Sequence, residues 1–309
     1  MIKLFFNPGS ESWDFDGEDV EEAIRIVANS NVRALSLILP CDSKHENLNF
    51  LLDFPELSEF QFDSHSSMII DTTAIGKMST LKRLVFFSYG ATGFEIDHLQ
   101  ALEELIIEFD KTVFLPKIPM PRIELIDVAR PNGVDLDFLK NFPSVRNVTI
   151  SRTRRLESIQ GIEACRNITY LWIDRCPNLL DIKLLPALDK LDTLHLSNLK
   201  NLSSIEPVFE VDSLSSIIIE KNHPIKEIKN VSRLKNLESL NISRSEIIDG
   251  DISCILDAPK LTECNIRPNK PHYQPTASYV HKVIKDRDQV YTELKRQMTL
   301  RYKQIARKK

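Results

Sequence analysis

Apolar residues recur along this chain as (apolar)-x-x-(apolar)-x-(apolar), and the pattern opens at Val32, Leu57, Leu81, Leu102, Ile123, Val145, Ile168, Leu191, Leu214, Leu237 and Leu261. The intervals are 21 to 25 residues. Within each match the two-residue alternation, as at Leu194 and Leu196, predicts a short strand with one buried face. After the strand the apolar positions march on about every third residue: Val145, Val148, Ile150, Thr153, Leu156, Ile159, Ile162, Cys165. The next three units keep the same eight positions in register, from Ile168 to Leu188, Leu191 to Val211 and Leu214 to Leu234. A period in the twenties whose units cannot bury their apolar side alone predicts a stacked solenoid.

The segments LDTLHL at Leu191–Leu196 and LESLNI at Leu237–Ile242 match LxxLxL, and Cys176, Asn222 and Asn269 fill the ninth position of LxxLxLxx(N/C). Thr153 and Ser245 are small polar substitutes there, whereas Pro131 and Leu199 break the series. Over roughly residues 32–269 the chain resembles short intracellular leucine-rich-repeat proteins. The resemblance implies an α/β solenoid, a slab or horseshoe with about eleven repeats and a parallel concave sheet. The short repeat leaves little room for helices on the convex side, so turns and 3₁₀ pieces are expected there.

The flanks differ from the repeats. Met1–Pro8 reads as a first strand, and residues 17–30 carry apolar positions at helical spacing behind an acidic first turn. Residues 1–31 are therefore expected to cap the solenoid at one end. At the other end Lys270–Pro275 is a linker, and a long basic helical pattern follows in 276–308. Its stripe is Val280, Ile284, Tyr291, Leu294, Met298 and Ile305, with Lys282, Lys285 and Arg287 among the residues set largely elsewhere. The stripe suits a cap on the last repeat, or alternatively self-association of an assembly subunit.

Charge is uneven although the total is only −4. Residues 1–120 carry a net −11, residues 121–269 a net −1 and residues 270–309 a net +8. The near-neutral repeats place nucleic-acid binding behind protein binding, because nucleic-acid readers are normally basic. Five cysteines without paired spacing suit a reducing compartment. The start lacks the apolar stretch of a signal peptide, so a cytoplasmic protein is expected and sequons such as those at Asn147 and Asn167 are read as repeat grammar. No apolar run approaches the roughly 20 residues needed to span a bilayer. Neither a G-x-G-x-x-G nor a P-loop, G-x-S-x-G, H-E-x-x-H or paired C-x-x-C pattern occurs. No catalytic residue, metal or cofactor is expected.

Recognition of another protein through the concave sheet is the expected function, as an adaptor or as a neutralising, immunity-type partner. Strand positions that alternate with the buried ones point outward. There the repeats place Tyr170, Trp172 and Asp174 beside His195 and Ile218, a patch whose aromatics are favoured interface anchors. The eighth motif position gives a second ladder, Arg130, Arg152, Arg175, Asn198, Lys221 and Arg244, basic at all but one step. Salt bridges and solubility account for such a ladder as well as a positive rail for an acidic protein surface does. Acidic residues at Glu59, Asp63, Glu104 and Glu108 occupy the same face farther up the chain, and a bipolar face would fix a partner's orientation.

Overall fold

The structure is a computed structural model that describes residues 3–7, 12–16, 32–65, 69–88, 90–108 and 115–306. The expected helix at 17–30 lies outside the described residues. Eleven strands follow the eleven motif openings, each starting two residues after the opening apolar side chain. They are β3 (Ala34–Leu39), β4 (Glu59–Ser64), β5 (Arg83–Ser88), β6 (Glu104–Glu108), β7 (Leu125–Ala129), β8 (Asn147–Ser151), β9 (Tyr170–Asp174), β10 (Thr193–Ser197), β11 (Ser216–Glu220), β12 (Ser239–Ser243) and β13 (Glu263–Arg267). Two earlier strands, β1 (Lys3–Asn7) and β2 (Ser12–Asp16), form an antiparallel pair, and β2 pairs in parallel with β3.

Two compact units divide the chain, Met1–Leu156 with Gln160–Ile168, and Glu157–Ile159 with Thr169–Lys309. In the first, β2 to β8 run parallel in chain order. In the second, β9 to β13 do the same, with Thr193 opposite Tyr170 and Ser216, and His195 opposite Trp172 and Ile218. This is a leucine-rich-repeat solenoid fold.

The burial pattern shows why the period is so regular. Of the eight-position sets that open at Val145, Ile168, Leu191 and Leu214, every residue is buried except Asn222. Each set spans a strand and the return segment behind it, so strand and return close on one apolar layer. The returns are short 3₁₀ turns, such as Asp137–Asn141 and Ile162–Ala164 in the first unit and Leu185–Ala187, Glu206–Glu210 and Lys229–Arg233 in the second. Their three-residue turn matches the three-residue march of the apolar positions. In each of these turns the closing amide bonds back three residues, as Leu188 N to Leu185 O at 3.0 Å.

Polar residues at the ninth position satisfy backbone groups inside the bend. Asn222 Oδ1 accepts from Leu199 N at 2.8 Å and its Nδ2 donates to Leu196 O at 2.9 Å. Thr153 Oγ1 donates to Pro131 O at 3.1 Å. The two positions that break the series are thus served by the following repeat. Asn269 does something else: it is exposed, and its Oδ1 accepts from Ala277 N at 3.1 Å.

That bond opens helix α1 (Ala277–Ala306). Ala277, Val280 and Ile284 are buried against the last repeat. Arg287, expected on the solvated basic face, instead donates to Ala258 O and Leu256 O at 2.6 and 2.7 Å. These carbonyls end the 3₁₀ turn Ser253–Asp257, the last such turn among the described residues, and a guanidinium with several donors closes them. The stripe residues Tyr291, Leu294, Met298 and Ile305 have side chains outside the described ones. No helix among the described residues is long and apolar enough to cross a membrane.

Candidate functional site

The outward face of the second unit carries Tyr170, Trp172, His195 and Ile218 half-buried and adjacent. The parallel register brings them together, since residues directly opposite on neighbouring strands stand about 5 Å apart. The Trp172 and His195 rings lie face to face, centroids 4.9 Å apart and planes within 1°. A pair of this kind adds roughly 0.5–1.5 kcal/mol beyond the area it buries. It fixes two large side chains that would otherwise be mobile on an open sheet.

A polar chain holds the same pair from its edge. Trp172 Nε1 donates to Ser197 Oγ at 3.1 Å, and Ser197 Oγ donates to Asp174 Oδ1 at 2.7 Å. Asn198 Nδ2 also donates to Asp174 Oδ1 at 2.8 Å, and Arg175 Nε lies 3.4 Å from Asp174 Oδ2. Asp174 was expected among the exposed outward residues, but only 9% of it is accessible. Its neighbours Ser197 and Asn198 cover it, and the carboxylate tolerates this because charged hydrogen bonds replace its water. Its place is beneath the patch, holding the indole.

His195 Nε2 is buried with no hydrogen-bond partner among the described residues. Burial pushes the imidazole below its ordinary range, outweighing the Glu220 and Asp174 charges that pull the other way. The ring is therefore neutral at pH 7.

The residues of the eighth-position ladder share one backbone conformation. Arg130, Arg152, Arg175, Asn198, Lys221 and Arg244 all adopt positive φ, between 50° and 57°. At this point each chain leaves its strand: Lys221 N still bonds to Ser243 O at 3.0 Å, and Arg244 N to Arg267 O at 2.7 Å. The left-handed turn then directs the backbone toward the core. Such a residue costs about 1 kcal/mol unless it is glycine, and β-branched side chains suit it worst. Arg, Lys and Asn are unbranched at Cβ and so avoid the worst of this strain, which a reading of charge alone does not reveal.

Several of these cations are also paired. In the first unit Arg130 Nη1 lies 2.9 Å from Glu108 Oε1 and Arg152 Nη1 lies 3.5 Å from Glu108 Oε2, with Glu108 itself buried. In the second, Arg244 Nη1 lies 3.5 Å from Glu220 Oε1. Lys221 is exposed and makes no ion pair among the described residues. Its free ammonium stands at the exit edge of the strand that carries Ile218.

Among the described residues no cluster of His, Cys, Asp and Glu is arranged to hold a metal ion. None of the five cysteines forms a disulfide, and burial pushes the thiols of Cys165 up to about 11 and of Cys254 and Cys264 up to about 12. The Glu163 charge adds to the shift at Cys165, and neighbouring aspartates add to that at Cys254. These three thiols stay protonated and act as small apolar groups.

No known family profile matches the chain, and no curated protein sequence does. Solved structures do resemble it. An internalin (inlF) from Listeria monocytogenes str. 4b F2365 aligns with a TM-score of 0.56 at 14% identity, covering 80% of this chain and 81% of that one. The functional domain of InlJ from Listeria monocytogenes aligns at 0.49 and 15% identity, over 82% and 62% of the two chains. The leucine-rich-repeat protein LIC12759 from Leptospira interrogans aligns at 0.44 and 14%, over 82% of each. At such identities the likeness concerns the fold, which agrees with the repeat read from the residues.

Proposed function

We propose that this leucine-rich-repeat chain is a non-catalytic recognition module that binds another protein through the outward sheet face of its second unit. The observation that carries the reading is the parallel Trp172–His195 stack, fixed by the Trp172–Ser197–Asp174 hydrogen-bond chain. A tryptophan held in one orientation on an open face loses little further freedom when a partner covers it. Preorganisation of this kind lowers the cost of association, and aromatic anchors supply a large share of binding energy in protein interfaces. Tyr170 and Ile218 extend the apolar area. Lys221, Arg175 and Arg244 border it with positive charge, so a partner with an apolar centre and an acidic margin suits it. In the first unit Arg130 and Arg152 take a supporting role at most, because Glu108 holds both.

The orphaned His195 Nε2 fits the same reading, since buried nitrogens usually find a donor or acceptor. Free, protonated thiols suit a cytoplasmic location. Adaptor and neutralising roles both follow from such a face, and the fold does not choose between them.

The test uses the wild-type chain and a Tyr170→Ala, Trp172→Ala, His195→Ala variant as baits in lysate of the source cell, once circular dichroism shows equal folding. A protein held by the wild type and released by the variant is expected, and its binding to the purified wild-type chain should be at least about tenfold tighter. Equal capture by both baits, or no protein captured by either, overturns the proposal.

A further inference from the structure

A second site of different chemistry lies at the far end of the second unit's sheet, where α1 begins. A pocket of about 750 Å³ is lined there by Glu220, Arg244, Asn265, Arg267, Ser278 and His281, among others. Its walls come from three sources. β11 to β13 and the residues following β12 supply Glu220, Arg244, Asn265 and Arg267 from their outward and exit-edge positions, while the first two turns of α1 supply Ser278 and His281. Asn269, also in the lining, anchors the helix start through its bond to Ala277 N.

Donors dominate this pocket. Arg267 is exposed and its side chain makes no ion pair or hydrogen bond among the described residues. Arg244 is shared with Glu220 at 3.5 Å, a loose contact between exposed groups that an incoming anion can outcompete. His281 Nε2 accepts a hydrogen bond from Ile266 N at 2.7 Å. A ring nitrogen that accepts carries no proton, so in the neutral ring the hydrogen sits on Nδ1. Burial and the nearby Arg267 charge both hold the imidazole below its ordinary range, which keeps it in this form at pH 7. Ser278 adds a hydroxyl. The first turn of the 30-residue helix contains no acidic residue and brings the positive end of its backbone dipole to the same wall.

We propose that this pocket binds a carboxylate presented by a peptide, with Arg244 and Arg267 supplying charge and Ser278 and His281 neutral donors. Planar guanidinium groups match the two oxygens of a carboxylate. A nucleic-acid backbone fits poorly, because Glu220 in the lining would face its repeated phosphates. The volume accommodates an acidic side chain with its flanking backbone, or a chain terminus. The site shares Arg244 with the margin of the Trp172 patch but does not require that patch to bind anything.

The experiment measures binding of two fluorescent probe peptides to the full chain by anisotropy. One has blocked termini and two glutamates, and the other has no acidic side chain but a free C-terminal carboxylate. A blocked peptide without acids is the reference. At least one acidic probe is expected to bind more tightly than the reference, and the one that does identifies the source of the carboxylate. An Arg244→Ala, Arg267→Ala variant should weaken that probe by about tenfold or more, whereas Glu220→Gln should strengthen it about twofold by releasing Arg244. Both arginines are exposed, so folding is expected to survive, which circular dichroism checks. The Trp172→Ala chain should bind the probe as the wild type does. If neither acidic probe exceeds the reference, or the double variant binds as well as the wild type, the pocket is not a carboxylate site.

Discussion

Replacing Asp174 with alanine tests whether the patch is held from beneath. The carboxylate accepts from Ser197 Oγ at 2.7 Å and Asn198 Nδ2 at 2.8 Å, and 9% of the residue is accessible. A hydrogen bond to a charged group contributes about 1.5–3 kcal/mol. Two are lost, but the cost of burying a charge is recovered, so the net destabilisation should be about 2–4 kcal/mol. The Arg175 contact contributes little, because its guanidinium is largely in solvent. Asp174→Asn keeps an acceptor without the charge and should cost roughly half as much. Urea unfolding followed by Trp172 fluorescence reads the effect, with Trp13→Phe as background so that one indole reports. Loss of the polar chain should also shift Trp172 emission in the folded state, since Ser197 no longer has its acceptor. Because Trp172 and Asp174 share Ser197, a double-mutant cycle with Trp172→Phe, followed by circular dichroism, should show coupling of about 0.5–1 kcal/mol. A stability change below about 0.5 kcal/mol together with unchanged emission would refute the reasoning.

Two further predictions follow from the ladder and the histidines. Lys221 has φ of 51°, so Lys221→Val should destabilise by about 1–2 kcal/mol while Lys221→Gly should leave thermal stability nearly unchanged, and equal losses would exclude left-handed strain as the reason for the residue type. Burial lowers the affinity of both His195 and His281 for a proton in the folded state, so the unfolded chain binds more protons below its ordinary imidazole pKa of about 6.5. Stability should therefore be full above that pH, fall as pH drops through it, and level off once the lower folded values are passed. Urea midpoints at pH 7.5 and 5.5 should show a smaller loss in His195→Gln, His281→Gln than in the wild type.

The repeat was open to reading because each unit buries its own residues in order. The eight positions from Ile168 to Leu188 recur every two or three residues along the sequence and are all buried, so a linear count finds them. Strand starts, the 3₁₀ returns and the solenoid fold follow from that count. The adjacency of Trp172, His195 and Ile218 also follows, because parallel strands in constant register turn a repeat interval into a neighbour.

Sequence by itself thus determined the architecture and which side chains share a face. Tertiary structure decided what those side chains do there. Asp174 stands at an outward position by alternation, yet Ser197 and Asn198 of the next repeat cover it. Arg287 belongs to a basic helical face by spacing, yet two open carbonyls of the last turn claim its guanidinium. Asn269 fits the repeat motif, yet with no further strand among the described residues to serve, it anchors a helix instead. The basic ladder looked like a matter of charge, and its residues also share a left-handed backbone at the exits of β7 to β12. Periodicity encodes burial because burial is set by the chain's own local repeat. Hydrogen bonds and ion pairs depend on which groups from other repeats arrive within about 3 Å, and only the assembled fold sets those distances.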